Sequence, residues 1–146
     1  KMDALILTTR FAFDVGEEDL GKKSYSKVAS LGASNYGAEA QYYAAFFQNK
    51  DKVFETSNQM IQQLIQQFPS EKEFAAKGLI LMARNYYALN DAFQATYILE
   101  NVIKNFSNFD ELKIEATQLL KTYERELSKS NASIETEQEK TNMDDK

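Results

Sequence analysis

The chain of 146 residues contains no histidine, no cysteine and no tryptophan. Without an imidazole or a thiol, Ser-His-Asp and Cys-His catalytic arrangements are excluded, and so is most structural zinc chemistry. The lack of cysteine also excludes disulfides, which leaves the redox compartment open. Only carboxylates, lysines, tyrosines and hydroxyls remain for chemistry, and none of them forms a convincing pair for acid–base catalysis. We therefore expect no catalytic residue, no metal ion and no cofactor.

Long apolar runs and an excess of positive charge are also missing. The apolar run near the start, Ala4–Leu7, is far too short to span a bilayer. No basic segment precedes a long apolar core and a small-residue cleavage site, so the pattern of a signal peptide is not found. The formal net charge of −5 argues against a nucleic-acid partner, because such a protein needs a basic face. Since the chain opens on Lys1, we expect it to be a piece of a longer protein.

One proline and five glycines are the main interruptions, so helices should dominate. Apolar residues recur at spacings of three and four in four stretches, and no stretch sustains the period-two alternation of a strand. These stretches contain Val53, Met60, Ile61, Leu64, Ile65 and Phe68; Leu79, Met82, Ala83 and Tyr86; Ala95, Ile98, Leu99, Val102, Ile103 and Phe106; and Leu112, Ala116, Leu119, Leu120, Tyr123 and Leu127. Ser70 and Glu73 predict a capping box at one helix start. The fold is predicted to be all-α.

A signature recurs three times along the predicted helix pairs. It reads Leu79-x2-Met82-Ala83-x2-Tyr86 then Ala95-x3-Leu99; Ala40-x2-Tyr43-Ala44-x2-Phe47 then Ser57-x3-Ile61; and Thr8-x2-Phe11-Ala12-x2-Val15 then Ser24-x3-Val28. The order of large, large-small, aromatic, small and large side chains resembles the tetratricopeptide repeat, which spans about 34 residues. The small residues would let the two helices of a pair approach closely. A generic up-down helical bundle is the alternative.

The resemblance implies an all-α, TPR-like right-handed α-solenoid of about three helix pairs plus a C-terminal capping helix. In a domain of residues 1–127, the repeats cover about 2–36, 37–71 and 74–109, and the capping helix covers 110–127. The remaining segment, 128–146, is polar and acidic, with Ile134 and Met143 as its only sizeable apolar side chains. Such a segment buries too little to offset its ordering entropy, so we expect a disordered tail.

The resemblance also implies a function: a non-enzymatic scaffold for a protein or peptide partner, without nucleic acid or membrane insertion. Degenerate repeats of this kind are similar to those of long bacterial TPR proteins, including cell-envelope and outer-membrane-assembly lipoproteins. We therefore expect the end of a solenoid in a larger bacterial complex for envelope assembly or secretion, and favour the periplasm or cell envelope over the cytoplasm. Assembly through the N-terminal edge is a further expectation, because the first repeat is the weakest match. A chaperone-like groove for extended client peptides and a small helical-bundle enzyme are the alternatives.

Candidate binding residues follow from the family's concave surface, which is lined by first-helix residues at the second, fifth, ninth and twelfth repeat positions. Carried onto this sequence, the candidates are Lys77, Ile80, Arg84 and Tyr87 in the third repeat, and Gln41 and Gln48 in the second. Lys77 and Arg84 are two helical turns apart and would suit an extended peptide or a carboxylate. Alternatively, they only solvate an exposed face. The family's carboxylate clamp is not present, because its Lys and Asn positions hold other residues.

Overall fold

The computed structural model describes residues 7, 9–12, 14, 16, 18–30 and 36–144. Residues 7, 9–12 and 14 are helical and are followed by six helices: α1 (Glu18–Ser30), α2 (Gly37–Lys50), α3 (Phe54–Gln67), α4 (Lys72–Ala88), α5 (Ala92–Asn105) and α6 (Asp110–Asp144). In this part of the chain there is no strand, which confirms the all-α prediction. Thr8, Val15 and the side chain of Val28, which belong to the predicted first repeat, lie outside the described residues.

The helices stack as consecutive pairs. Each helix from α1 to α6 packs against the next one, and α2 also packs against α4, as α4 does against α6. The second helices α3 and α5 do not approach each other in the same way. First helices that lie close together, with second helices spread apart, form a curved array with α2, α4 and the start of α6 on the inner side. The fold is therefore a TPR-like helical repeat solenoid.

The turns inside the helix pairs repeat the same backbone geometry. Lys52 and Asn90 both adopt the left-handed conformation, with φ of 62° and 65°. One residue later, the amide of Val53 donates to the carbonyl of Gln48, and that of Asp91 donates to the carbonyl of Tyr86, each at 2.8 Å. These equivalent residues are 38 positions apart, and this offset fixes the structural register between the second and third repeats.

The same offset of 38 residues relates the buried residues of the two repeats. Ala45, Ser57 and Ile61 have no exposed surface, and neither have their equivalents, which are Ala83, Ala95 and Leu99. The sequence alignment had placed Ala44 opposite Ala83, and it was wrong by one residue at this point. The error arose because two adjacent alanines both satisfy the small-residue position. The fully buried one is Ala45, whereas Ala44 is partly exposed.

Close approach between successive repeats requires a glycine in α4. A Cβ atom on Gly78 would lie 2.9 Å from Cγ2 of Ile61 in α3, which is closer than real Cβ contacts. The equivalent positions, Ala40 in α2 and Ala116 in α6, hold alanines with no exposed surface. Small residues at one position of each first helix therefore let the next repeat stack on the one before it.

Helix α4 does not begin with the predicted capping box. Its N-cap residue is Glu71, one residue after Ser70, and no side chain caps the helix. The predicted reciprocal bonds between Ser70 and Glu73 therefore do not form, because the helix starts one position later than the motif requires. Helix α5, in contrast, has a side-chain cap, since Asp91 Oδ1 accepts from the amide of Gln94 at 3.0 Å.

Helix α6 continues far beyond the predicted end at Leu127. Ser128–Asp144 extends the helix as exposed residues, so the expected disordered tail is wrong for this segment; 145–146 lie outside the described residues. The segment contains no proline or glycine, and several Ser and Thr hydroxyls bond to the carbonyl four residues earlier. Glu137 and Lys140 lie 38 residues after the core positions Leu99 and Val102. Folding back as a second helix would bury both charges, so the helix continues straight.

We predict that removing 128–146 leaves the stability of the domain unchanged. Every described side chain from Ser128 to Met143 is exposed, so the deletion removes no buried apolar contact. Thermal unfolding followed by circular dichroism should give the same Tm to within about 1 °C for the truncated and the full chain. A drop of several degrees would show that the segment packs on the solenoid.

Candidate functional site

Two hollows lie along the inner helices of the array. The first hollow, of about 270 Å³, is lined by Arg10, Asp14, Tyr25, Glu39, Tyr43, Phe74 and Lys77. The second hollow, of about 290 Å³, is lined by Tyr42, Phe46, Asn49, Ile80, Leu81, Arg84 and Glu115. They follow one another between successive first helices, and this inner strip is the candidate binding surface.

A buried carboxylate organises the first hollow. Glu39 is only 5% exposed, and its Oε1 accepts from Arg10 Nε at 2.7 Å and from the Tyr25 hydroxyl at 3.0 Å. A second Arg10 nitrogen bonds to Oε2, so the pair is bidentate. The hydrogen bond to Glu39 raises the pKa of Arg10. Burial, reinforced by the charge of Glu39, raises the pKa of Tyr25. The hollow therefore has a rigid, locally neutral wall.

Aromatic rings connect the two hollows. Tyr25 and Tyr43 stack with centroids 4.4 Å apart, and Tyr42 lies edge-on to Tyr43 at 5.1 Å. Tyr42 also lies 6.1 Å from Phe74 and 6.4 Å from Phe46. Burial raises the pKa of Tyr42 to about 12. A continuous aromatic floor thus runs from α1 across α2 to α4, suited to apolar contact rather than to proton transfer.

Charge alternates along the strip with the period of the repeat. Glu39, Lys77 and Glu115 are successive equivalents, each 38 residues after the one before. Glu39 pairs with Arg10, and Glu115 pairs with Arg84 at 3.0 Å, but Lys77 lies opposite the aromatic part of α2. Its ammonium group is 3.6 Å from Glu73 and 5.0 Å from the centre of the Phe74 ring, both in its own helix. Lys77 is therefore the cation of the strip that is not paired across two repeats.

The structure brings three of the predicted site residues into the hollows. Lys77 lines the first hollow, and Ile80 and Arg84 line the second, although Ile80 is only 3% exposed and also belongs to the core. Tyr87 is placed differently. Its ring stacks on Tyr123 of α6 with centroids 3.8 Å apart, and its hydroxyl bonds to the carboxylate of Glu126, which raises its pKa. Tyr87 thus joins α4 to α6.

The predicted residues Gln41 and Gln48 do not line either hollow, because the second repeat was aligned one residue out of register. Gln41 Nε2 instead donates to the carbonyl of Met60 in α3 at 3.2 Å. With the offset of 38 residues, the equivalents of Lys77, Ile80, Arg84 and Tyr87 are Glu39, Tyr42, Phe46 and Asn49. All four of these line the hollows. Aligning Ser57 with Ala95 and Ile61 with Leu99 would have given this register from the sequence.

Sequence reasoning also missed a buried polar network behind the second hollow. Asn85 has no exposed surface and stands where the second repeat carries Phe47. Its Nδ2 donates to Ser57 Oγ and to Asn58 Oδ1, both at 2.8 Å, and its Oδ1 accepts from Asn49 Nδ2 at 2.7 Å. No buried side-chain nitrogen or oxygen among the described residues lacks a partner. An asparagine in an otherwise aromatic position was the available signal.

Other kinds of site were also sought in the part of the chain that the structure describes. No three acidic side chains there come close enough together to hold a metal ion. No described helix is both long and apolar enough to cross a bilayer.

The described helices define a class of protein first: a helical repeat array whose inner helices form a binding strip. Within it, residues 78–108, from Gly78 in α4 through α5 to the following turn, match a family model described as Tetratricopeptide repeat. The match supports the tetratricopeptide repeat family, which the sequence pattern had indicated. Such repeats mediate protein–protein interaction on their extended surfaces. Comparison with curated proteins gives no match.

Proposed function

We propose that the chain is a non-enzymatic scaffold that binds an extended segment of a partner protein along the inner strip. The observation that carries this proposal is the second hollow, where Tyr42, Phe46 and Ile80 provide apolar surface beside the charged pair of Arg84 and Glu115. An apolar floor with a few polar groups at its rim is the usual composition of a binding site for an extended peptide.

The two hollows suggest what the partner segment carries. The second hollow fits one large apolar side chain, since its volume is close to 300 Å³ and its walls are mainly aromatic and aliphatic. Lys77, which is not paired across repeats, lies one repeat offset from each of the paired carboxylates. We propose that it attracts an acidic side chain of the partner, placed N-terminal or C-terminal to the apolar one.

The setting of this scaffold is part of the proposal. Leu7 and Phe11 are 61% and 67% exposed, whereas Phe47, at the place of Phe11 in the next repeat, is covered by Tyr25 of the preceding helix pair. The exposed pair supports assembly through the N-terminal edge, as in the end of a solenoid within a larger complex. We propose a bacterial envelope-assembly or secretion complex, as the sequence resemblance suggested. A groove that captures many extended clients is the second candidate, favoured by the aromatic floor.

Selection from a displayed library of short random peptides on the full chain tests the proposal. Arg84→Glu places a second carboxylate beside Glu115 at the rim of the second hollow, and we expect it to weaken a selected peptide about tenfold. The helix content and the Tm should stay nearly the same, because the Arg84–Glu115 pair is exposed and contributes under about 1 kcal/mol. Binding would be measured by titration calorimetry.

Arg125→Glu is the matched control, because Arg125 is an exposed arginine of α6 that lines neither hollow. It makes the same charge change and should leave the affinity unchanged. Equal loss in both variants would indicate a general charge effect and contradict the inner-strip assignment. Failure to select any peptide would contradict the proposed function itself. One consensus among the selected peptides would support a dedicated partner, and many unrelated sequences would support the client-capturing groove.

A further inference from the structure

A chain of hydrogen bonds connects the second hollow to the backbone of α2. Asn49, at the rim of the hollow, donates to Asn85, which donates to Ser57. The hydroxyl of Ser57 in turn donates to the backbone carbonyl of Ala45 at 2.7 Å. Asn85 and Ser57 have no exposed surface, so water does not compete for these bonds.

The carbonyl of Ala45 sets the direction of every bond in this chain. A carbonyl oxygen only accepts, so the single proton of Ser57 Oγ must point to Ala45. Ser57 can then only accept from Asn85, which fixes the amide nitrogen of Asn85 on that side. The oxygen of Asn85 must therefore face Asn49, and Asn49 must present its nitrogen to it. The orientation of both side-chain amides follows from this accounting, because the reversed arrangement would bring two acceptors together at Ser57.

This fixed orientation leaves the Oδ1 atom of Asn49 pointing away from Asn85. Among the described residues no group donates to that oxygen, and Asn49 lines the second hollow. Resting on the proposed function, we infer that Asn49 Oδ1 is a pre-oriented acceptor for a backbone N–H of the bound segment, and that Ser57 and Asn85 are its positioning residues. Any extended peptide carries such a donor, so the contact would fix the position of the segment while the hollow selects the neighbouring side chain.

A buried network adds to binding because the acceptor is held in place before the ligand arrives. The orienting bonds are already made in the folded chain, so binding does not have to order the Asn49 side chain. Ser57 is a positioning residue rather than a contact, since it lies behind Asn49 and is fully buried. Its replacement by alanine is sterically tolerated, because Ala95 occupies the equivalent position of the next repeat with no exposed surface.

The test uses a selected peptide and a set of analogues, each N-methylated at one backbone position. For the unmodified chain, we expect one N-methyl group near the apolar anchor to lower the affinity about tenfold, the value of one lost hydrogen bond. In Asn49→Ala the affinity for the unmodified peptide should fall by a similar factor, and the same N-methyl group should then cost less than about twofold. This coupling isolates the contact from the steric effect of the methyl group.

Ser57→Ala provides the second variant, with Asn101→Ala as the control on an exposed asparagine of α5. Ser57→Ala should reduce the N-methyl effect as well, although Ser57 touches no ligand, because the orientation of Asn49 is no longer fixed. Asn101→Ala should retain the full effect. Peptides that bind the unmodified chain with N-methyl effects unaltered by Asn49→Ala would overturn this inference and leave the proposed function standing. A loss that follows a donor side chain of the peptide, and not its backbone, would also overturn it. If no peptide is selected, both fall together.

Discussion

Replacing Asn85 with alanine should lower the Tm by about 10 °C, the largest stability effect expected for a single polar residue of this chain. The substitution removes both donors that satisfy Ser57 and Asn58, together with the acceptor for Asn49. Buried polar groups left without partners cost about 1–3 kcal/mol each, and the small cavity adds to that cost. A total of about 3 kcal/mol corresponds to the stated shift for a domain of this size.

Asn101→Ala, which removes an exposed asparagine from the neighbouring α5, should change the Tm by less than about 2 °C. Differential scanning calorimetry of the three proteins measures the effect directly. Near-equal Tm values for Asn85→Ala and Asn101→Ala would mean that water satisfies the network once Asn85 is removed. The network would then contribute little to joining the second and third repeats.

High pH should unfold the protein cooperatively. Burial is the main cause that raises the pKa of Tyr25, Tyr42 and Tyr43 above the ordinary value of about 10. Above that value the unfolded chain loses phenolic protons that the folded chain keeps, so the free energy of unfolding falls as the pH rises. For Tyr42, whose pKa is about 12, the loss is complete only above that pH and amounts to roughly 2–3 kcal/mol. The other buried tyrosines act in the same direction.

The expected result is a single transition in which helix content falls and tyrosinate absorbance rises together between about pH 10 and pH 12. Tyr42→Phe removes one of the titrating groups while keeping the ring in the aromatic floor, so its midpoint should lie at higher pH. Tyrosinate absorbance that is complete while the helix content is intact would show that these phenols ionise in the folded state. In that case their burial would not limit stability at high pH.

The helical class and the pairing of helices could be predicted from the sequence because apolar spacing and turn residues recur in each repeat. The register of the second repeat could not be read from one position, since Ala44 and Ala45 are equally small and only packing shows which is buried. This single step moved the predicted site from Tyr42 and Asn49 to Gln41 and Gln48. The Asn85 network escaped prediction for a different reason. Its partners lie 27 to 36 residues away, and local patterns say nothing about such contacts.

The long helix α6 contains two halves that owe their conformation to different causes. Its first half contributes Ala116 and Tyr123 to the core, so it unfolds only with the rest of the domain. From Ser128 to Asp144 the helix has only its own backbone bonds and local side-chain contacts, and isolated helices of that length are marginal in water. Temperature, salt or a contact with another molecule can therefore shift the helix–coil equilibrium of the second half without altering the binding strip. The chain ends in a segment whose shape answers to its surroundings, attached to a domain whose shape does not.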